Sequence, residues 1–535
     1  MGIGILQPRD GSHTPVTGTK LFDEVSSLGT DEEAVGLKRH PKHHDIILQP
    51  QPSDDPDDPL NWSRLRKELF FASIILCTSA MGVVGPLFIP AFSSMAVELD
   101  ASIAGIAQLN GILVMMLGIT SFVGIAFGRI FGKRPFLLLT LLLEIAGLAW
   151  GANAWSYWSL YGARVVQGLG IGGFACMGNA LVADVFFLHE QGTRIALWQL
   201  AWVVSVNVTP LISARIITAA GWRNAFYAVL GFACFCAIFF FLAAPESTFI
   251  RREISGGMPS ATEHASNSKE EVAGTTPTVI SEVGAPGRRN PLSVWNGLMA
   301  DESVWMAIAR PFAVALTPPI FWCMITYGLL FSCTIIVGAT YSQIFAAPPY
   351  SLDTNTVGNI SGLGPLLGSL IALLSSGPIA DFTARALSRR NDGYFEPEMY
   401  LVLMVPCSVF SLVGLVGWGV SVDRVDPSIV PAAMIALTTL GLSFGFAGTI
   451  LYSSAVFPAR QGDSFGIMML FKSAITFGFL YFSTDWLVER GPKSFFCTWG
   501  GVCCGVSLLA LPFYVYGKRI REWTSQSALL GWTTR

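Results

Sequence analysis

From Glu68 onward the chain is a succession of long apolar runs separated by short polar stretches. A helix needs about 20 apolar residues to cross the ~30 Å hydrocarbon layer of a bilayer. Within lipid only helices and closed barrels satisfy every backbone donor and acceptor. Twelve runs meet the length requirement. Six are Glu68 to Phe92, Ala104 to Phe127, Pro135 to Trp155, Trp158 to Val185, Ile195 to Thr218 and Ala225 to Ala244. Six more are Pro319 to Phe345, Val357 to Ile379, Tyr400 to Val420, Ile429 to Val456, Phe465 to Trp486 and Phe495 to Tyr516. The pattern predicts an all-α membrane protein with twelve transmembrane helices.

The polar stretches divide it. Residues 1–67 contain many Pro, Asp and His and show no helical period, so they are expected to be a disordered tail. Residues 246–310 begin with a stretch rich in Ser, Thr, Gly and Glu, the composition of a linker. This leaves a six-helix bundle at 68–245, a second at 311–517, and a short tail at 518–535. The halves echo each other: "GIAFGRIFGKRP" (Gly124 to Pro135) follows the second run, and "GPIADFTARALSRR" (Gly377 to Arg390) follows the eighth. Repeats of this kind build many secondary transporters, with the substrate site near the midplane between halves. No secretory signal precedes the first run, which is therefore expected to direct insertion. Basic residues such as Arg64, Arg129, Lys133, Arg134, Arg385 and Arg519 gather on the side of the termini, which predicts both termini to be cytosolic.

Composition agrees with a lipid environment: 52% of residues are hydrophobic and 13% charged, against about 25% charged in soluble domains. All ten cysteines fall in the apolar runs without metal-ligand spacing, so neither a metal nor a disulfide is expected. The chain has no GxxxxGK[ST] phosphate loop and no GxSxG elbow. Enzymatic chemistry and direct use of ATP are not indicated, and a gradient-driven secondary transporter is.

Charges inside the runs carry the chemistry. Arg164 lies seven residues into the fourth run, about 10 Å deep at 1.5 Å per residue. It is followed by Gln167, Gly168, further glycines and Asn179. An arginine at mid-membrane costs about 2.5 to 3.5 kcal/mol on insertion scales, so Arg164 is expected to face a water-filled cavity. Glu144 in the third run is a candidate proton carrier, and Lys472 in the eleventh a candidate substrate contact. No histidine occurs in any run, which excludes a histidine relay. Asp184, Asp381 and Asp485 lie near helix ends. With Arg164 and Lys472 opposed by Glu144 alone, the lining favours an uncharged or acidic substrate over a polycation. Asn179, Asn207, Trp198 and Trp202 are candidates to line the cavity around a flat or lipophilic compound.

These motifs resemble a known family. "LYGARVVQGLGIGG" resembles the fourth-span signature of the major facilitator superfamily. "SDDPDDPLNWSRLRK", "ADVFFLHEQGTR", "GWRNAFY", "PEST", "RRNDGYFEPEMYL" and "YGKRIREW" resemble, as a set, its fungal twelve-span drug:proton antiporter group. The resemblance implies two pseudo-symmetric six-helix bundles and alternating access. It implies proton coupling at Arg164, Gln167 and Gly168, with Glu144 as the candidate acid. Gating would fall to Gly377, Asp381 and Arg385 in the second half, and to Arg129, Lys133, Arg134 and Asp184 in the first. Members export drugs and secondary metabolites, and some relatives carry polyamines. The expected partners are a small organic substrate and membrane lipid, with no nucleic acid, no cofactor beyond the coupling proton, and a monomeric state. The expected location is the plasma membrane, with a vacuolar or other internal membrane as the alternative. Three positions depart from the group. "AFGRIFGKRP" lacks the acidic residue of the gating motif, the fifth-run signature survives only as Pro210, and "TILYSSAVFP" lacks an aspartate. Uptake or facilitated diffusion of an organic cation or other nutrient, and a transporter-like receptor, stand as alternatives.

Overall fold

The computed structural model describes residues 58–249 and 303–527 continuously, with short stretches at 4–6, 16–21, 50–53, 55, 293–295, 297 and 299. Most of the expected tail and linker, and residues 528–535, lie outside the described residues.

Eleven helical segments among the described residues are long and apolar enough to cross a membrane. Spans 1 to 6 are Arg64–Val84, Ile103–Ile130, Lys133–Ala152, Tyr157–Val185, Leu188–Ala220 and Trp222–Ala243. Spans 7 to 10 are Pro318–Phe345, Thr354–Arg389, Met404–Asp423 and Ile429–Val456. The last segment is a helical run, Gln461–Leu508, continued by Ala510–Gln526. It is two spans. Gly491 has φ 76° and ψ 162°, close to the values at Gly132 and Gly221, which separate spans 2 from 3 and 5 from 6. A positive φ at these sharp reversals favours glycine. The rings of Phe479 and Trp499 are 5.0 Å apart, whereas twenty residues of continuous helix would separate them by about 30 Å. The expected twelve spans are therefore present, span 11 ending and span 12 beginning at Gly491.

Boundaries differ from the apolar runs for local reasons. Span 1 ends at Val84, just before Gly85 and Pro86; Gly85 keeps helical angles, but Pro86 has no backbone N–H with which to continue the ladder. The chain then continues as a turn and a short helix, Phe92–Glu98. Span 8 runs on to Arg389, its last turns polar enough to project past hydrocarbon. A further short helix, Val304–Ala315, begins inside the stretch expected to be linker.

Neighbour relations repeat between halves. Span 4 packs on spans 2 and 3, span 1 on spans 4, 5 and 6, and span 3 on span 6. Correspondingly, span 10 packs on spans 8 and 9, span 7 on spans 10 and 11, and span 9 on span 12, where Trp418 stacks on Phe496 at 4.0 Å. The halves meet along spans 2 and 11 and along spans 5 and 8. On the face away from the termini they are joined by Ser93 and Ser342 at 3.1 Å and by Thr218 and Asn355 at 3.4 Å. On the terminal face, spans 2 and 11 remain in contact, but a Cβ at Gly377 of span 8 would meet nothing within 4 Å. Gly377, Pro378, Ile379, Asp381 and Phe382 are all exposed there. This stretch of span 8 is thus left uncovered by the first half.

Part of the N-terminal tail is ordered, contrary to expectation. Lys20–Leu21 pairs antiparallel with Tyr394–Phe395, Thr19 donates to Glu396 at 2.7 Å, and Arg521 donates to the Thr17 carbonyl at 2.5 Å. Arg521 also pairs with Glu396 and Glu398, and Lys518 with Glu396. Burial pushes the Glu396 carboxyl up, but the Arg521 charge and the bonds from Lys518, Thr19 and Arg521 outweigh it and hold the group below the usual range. Charge pairing fastens this strap together with the buried Val16 side chain.

Candidate functional site

Span 4 is built to let its neighbours approach. A Cβ on Gly168 would lie 2.4 Å from the Leu113 carbonyl oxygen of span 2, and one on Gly170 would lie 2.6 Å from Glu144 Oε2 of span 3. Small residues at such contacts allow close helix packing in lipid, where no hydrophobic force drives helices together. Three polar side chains are sealed in as a result. Arg164 is 0% exposed; its Nη1 donates to the Val84 carbonyl at the end of span 1, 2.9 Å away. Its guanidinium lies 3.8 Å from the centroid of the Phe88 ring and 5.3 Å from that of Phe226, stacking that the planar group permits. Gln167 donates to the Gly147 carbonyl of span 3 at 2.7 Å. Glu144, also 0% exposed, has two oxygens without a hydrogen-bond partner among the described residues and is electrostatically coupled to Arg164.

This corrects the expectation that Arg164 faces a water-filled cavity. The structure turns it into the first bundle, among spans 1, 3, 4 and 6. Gly168 provides close packing against span 2. Asn179 is half-buried, with its amide oxygen unpartnered among the described residues.

In the second half, Lys472 is 6% exposed. Its ammonium lies 4.0 Å from the Phe331 ring centroid and 5.3 Å from that of Tyr327, both on span 7. Phe446 of span 10 packs edge-on against Tyr327 at 5.3 Å and closes the group. Lys472 thus stands where spans 7, 10 and 11 meet.

Other candidates serve packing instead. Trp198 is buried, donates to Thr78 of span 1 at 3.0 Å and covers Gly178 of span 4. Trp202 is half-buried against the core. Asn207 donates to Val203 of its own helix, and its backbone carbonyl meets Gly362 of span 8. Trp198 and Asn207 thus lie at contacts between spans.

The gating residues divide. Lys133 pairs with Asp184 at 2.5 Å, and Ser247 donates to the same carboxylate. Glu246 accepts from the backbone N–H groups of Lys133 and Arg134, capping span 3, while the Arg134 guanidinium donates to the Phe241 and Ser293 carbonyls. Arg129 reaches across the halves to Asp463 at the start of span 11, 3.0 Å away, and Arg310 of the short connecting helix pairs with Asp463 at 2.7 Å. The acid missing from the first-half motif is thus supplied by the other half. Neither Asp463 nor Arg310 was singled out by the sequence pattern, although Asp463 falls at the terminal-face end of a span, opposite a row of basic residues. The corresponding second-half residues, Gly377, Asp381 and Arg385, are exposed, and Asp381 and Arg385 form no ion pair among the described residues. The gate expected there is not assembled in this arrangement.

Comparisons with known proteins agree with this architecture. An uncharacterized MFS-type transporter of Schizosaccharomyces pombe is 24% identical, covering 97% of this chain and 94% of its own. The MFS-type transporter penM of Penicillium rubens is 25% identical, covering 96% and 98%. The cycloheximide resistance protein of Candida maltosa is 22% identical, covering 92% and 88%. Among solved structures, the human organic anion transporter MFSD10 superposes with a TM-score of 0.54 at 13% identity, covering 86% of this chain and 100% of that one. The xylose transporter XylE of Escherichia coli, in a partially occluded inward-open conformation, gives 0.55 at 12%, covering 84% and 97%. The family model of the Major Facilitator Superfamily matches residues 69–480, and with two pseudo-symmetric six-helix bundles built around these sites the chain belongs to that superfamily.

Proposed function

We propose that this secondary transporter exports a small uncharged or acidic organic compound by alternating access, in exchange for protons. One observation carries the proposal: a carboxyl group, Glu144, is sealed inside the membrane beside an arginine whose own bonds go to a backbone carbonyl and two ring faces. Such an arrangement has two charge states. With Glu144 ionised, the carboxylate and guanidinium attract each other across spans 3 and 4. With Glu144 protonated, Arg164 is left to Val84, Phe88 and Phe226, at the point where span 1 ends and the chain crosses toward span 7. A proton on Glu144 would therefore change the force holding span 4 to span 3 next to the segment that joins the halves. Intramembrane ionisable groups commonly mark proton pathways, and the relative named for cycloheximide resistance supports the export of foreign or secondary compounds.

The basic residues gathered on the terminal face support a cytosolic location for that face. The test is transport in proteoliposomes under an imposed pH gradient, screening neutral, acidic and polycationic compounds with wild type and Arg164→Ala in parallel. Saturable, gradient-dependent movement that disappears in Arg164→Ala supports the proposal. Transport indifferent to both would leave facilitated diffusion as the mechanism.

A further inference from the structure

Lys472 poses a charge problem that the protein does not solve by itself. The ammonium is nine-tenths buried, lies over the faces of Phe331 and Tyr327, and has no hydrogen bond or ion pair among the described residues. Spans 2, 7 and 10, which pack around span 11 here, contain no Asp or Glu. Within span 11 itself, Asp463 lies nine residues away, about 13 Å along the helix, and Asp485 thirteen residues away, about 20 Å. Asp463 is already held by Arg129 and Arg310. Ring faces attract a cation but contribute much less than a carboxylate does, and a buried charge without a counter-charge is unfavourable.

We infer that the counter-charge is supplied by the substrate, and that Lys472, Tyr327, Phe331 and Phe446 form a receptor for organic anions. A carboxylate would meet the ammonium, while an apolar or aromatic body would lie against the Phe331 and Phe446 rings, whose centroids are 6.3 Å apart. The site is in the second bundle, and Glu144 and Arg164 are in the first. An anion bound to Lys472 would therefore act on the halves from one side while the proton acts from the other. The inference rests on the transport proposal above and narrows its substrate from uncharged or acidic to anionic.

The test is equilibrium binding to the full-length protein in detergent, with no gradient, so its failure is separate from failure of proton coupling. The probes are matched pairs of equal shape: benzoate and benzamide, 2-naphthoate and 2-naphthamide, octanoate and octanamide, followed by tryptophan fluorescence. At least one carboxylate is expected to bind wild type at least tenfold more tightly than its amide. Lys472→Met should abolish that preference, and Lys472→Arg should keep it. Because Lys472→Met removes an uncompensated charge, its unfolding temperature should be no lower than that of wild type. Carboxylates and amides binding wild type alike, or a preference that survives Lys472→Met, would overturn the inference. So would a marked fall in unfolding temperature in Lys472→Met, which would show that the lysine already has a partner within the protein.

Discussion

Replacing Asp463 with asparagine removes one negative charge from between two guanidinium groups of different surroundings. The Arg310 Nε lies 2.7 Å from Asp463 Oδ2, with the two side chains 10% and 2% exposed. At an effective dielectric of 20 the gross attraction is about 6 kcal/mol. The Arg129 Nη2 lies 3.0 Å from Oδ1, but its side chain is 36% exposed. In a water-like dielectric the gross attraction there is about 1.4 kcal/mol, and such a pair is worth about 0 to 1 kcal/mol net. Desolvation cancels part of the larger figure, while breaking a buried pair by removing one partner costs about 3 to 5 kcal/mol when burial is complete. Because asparagine keeps an acceptor oxygen, a loss of about 2 to 4 kcal/mol is expected for Asp463→Asn. Two double-mutant cycles in detergent, read by thermal unfolding, separate the contributions. The Arg310–Asp463 coupling should be at least twice the Arg129–Asp463 coupling. Equal couplings, or an Arg310 coupling near zero, would refute the view that the connecting helix fastens this latch.

Gly170→Ala would place a Cβ 2.6 Å from Glu144 Oε2 and 2.7 Å from the Glu144 backbone nitrogen. Overpacking of this kind costs about 1 to 3 kcal/mol, and a variant with unchanged unfolding temperature would show that spans 3 and 4 are further apart. Arg164→Lys keeps the charge but loses the planar face stacked on Phe88, so it should transport no better than Arg164→Ala; full activity would mean that charge alone matters. Glu396 is held below its ordinary range by Arg521 and its hydrogen bonds. Its contribution is therefore fully present above the ordinary glutamate value of about 4.3 and disappears as pH falls through the lowered folded value. The stability difference between wild type and Glu396→Gln should accordingly shrink between pH 7 and pH 3, and a constant difference would contradict the charge-held strap.

The spans were legible because lipid imposes a length that apolar runs must meet, and Gly491 marks the reversal between the last two of them. The depth of Arg164 was equally legible, since depth follows from position along a helix. Its direction was not, because the azimuth of a side chain depends on which neighbours each face of the helix meets. The glycines after Arg164 permit close packing, but the sequence could not show that spans 2 and 3 take those faces. Nor could it show that the turn after Val84 carries Phe88 beneath the guanidinium. Trp198 and Asn207 were misplaced for the same reason. Asp463 and Arg310 escaped notice because their partners are far apart in the chain, more than 150 residues from Arg310 to Asp463 and more than 330 from Arg129, which reaches Asp463 across the halves.

The central claim is that Glu144, coupled to Arg164, takes up and gives back the proton exchanged for substrate. The most direct measurement is proton release from purified protein in weakly buffered detergent when a substrate found in the liposome screen is added, followed with a pH-sensitive dye. Wild type should release protons in proportion to bound substrate, and Glu144→Gln should bind substrate but release none. Equal release from both proteins would contradict the account and place the coupling proton on another group.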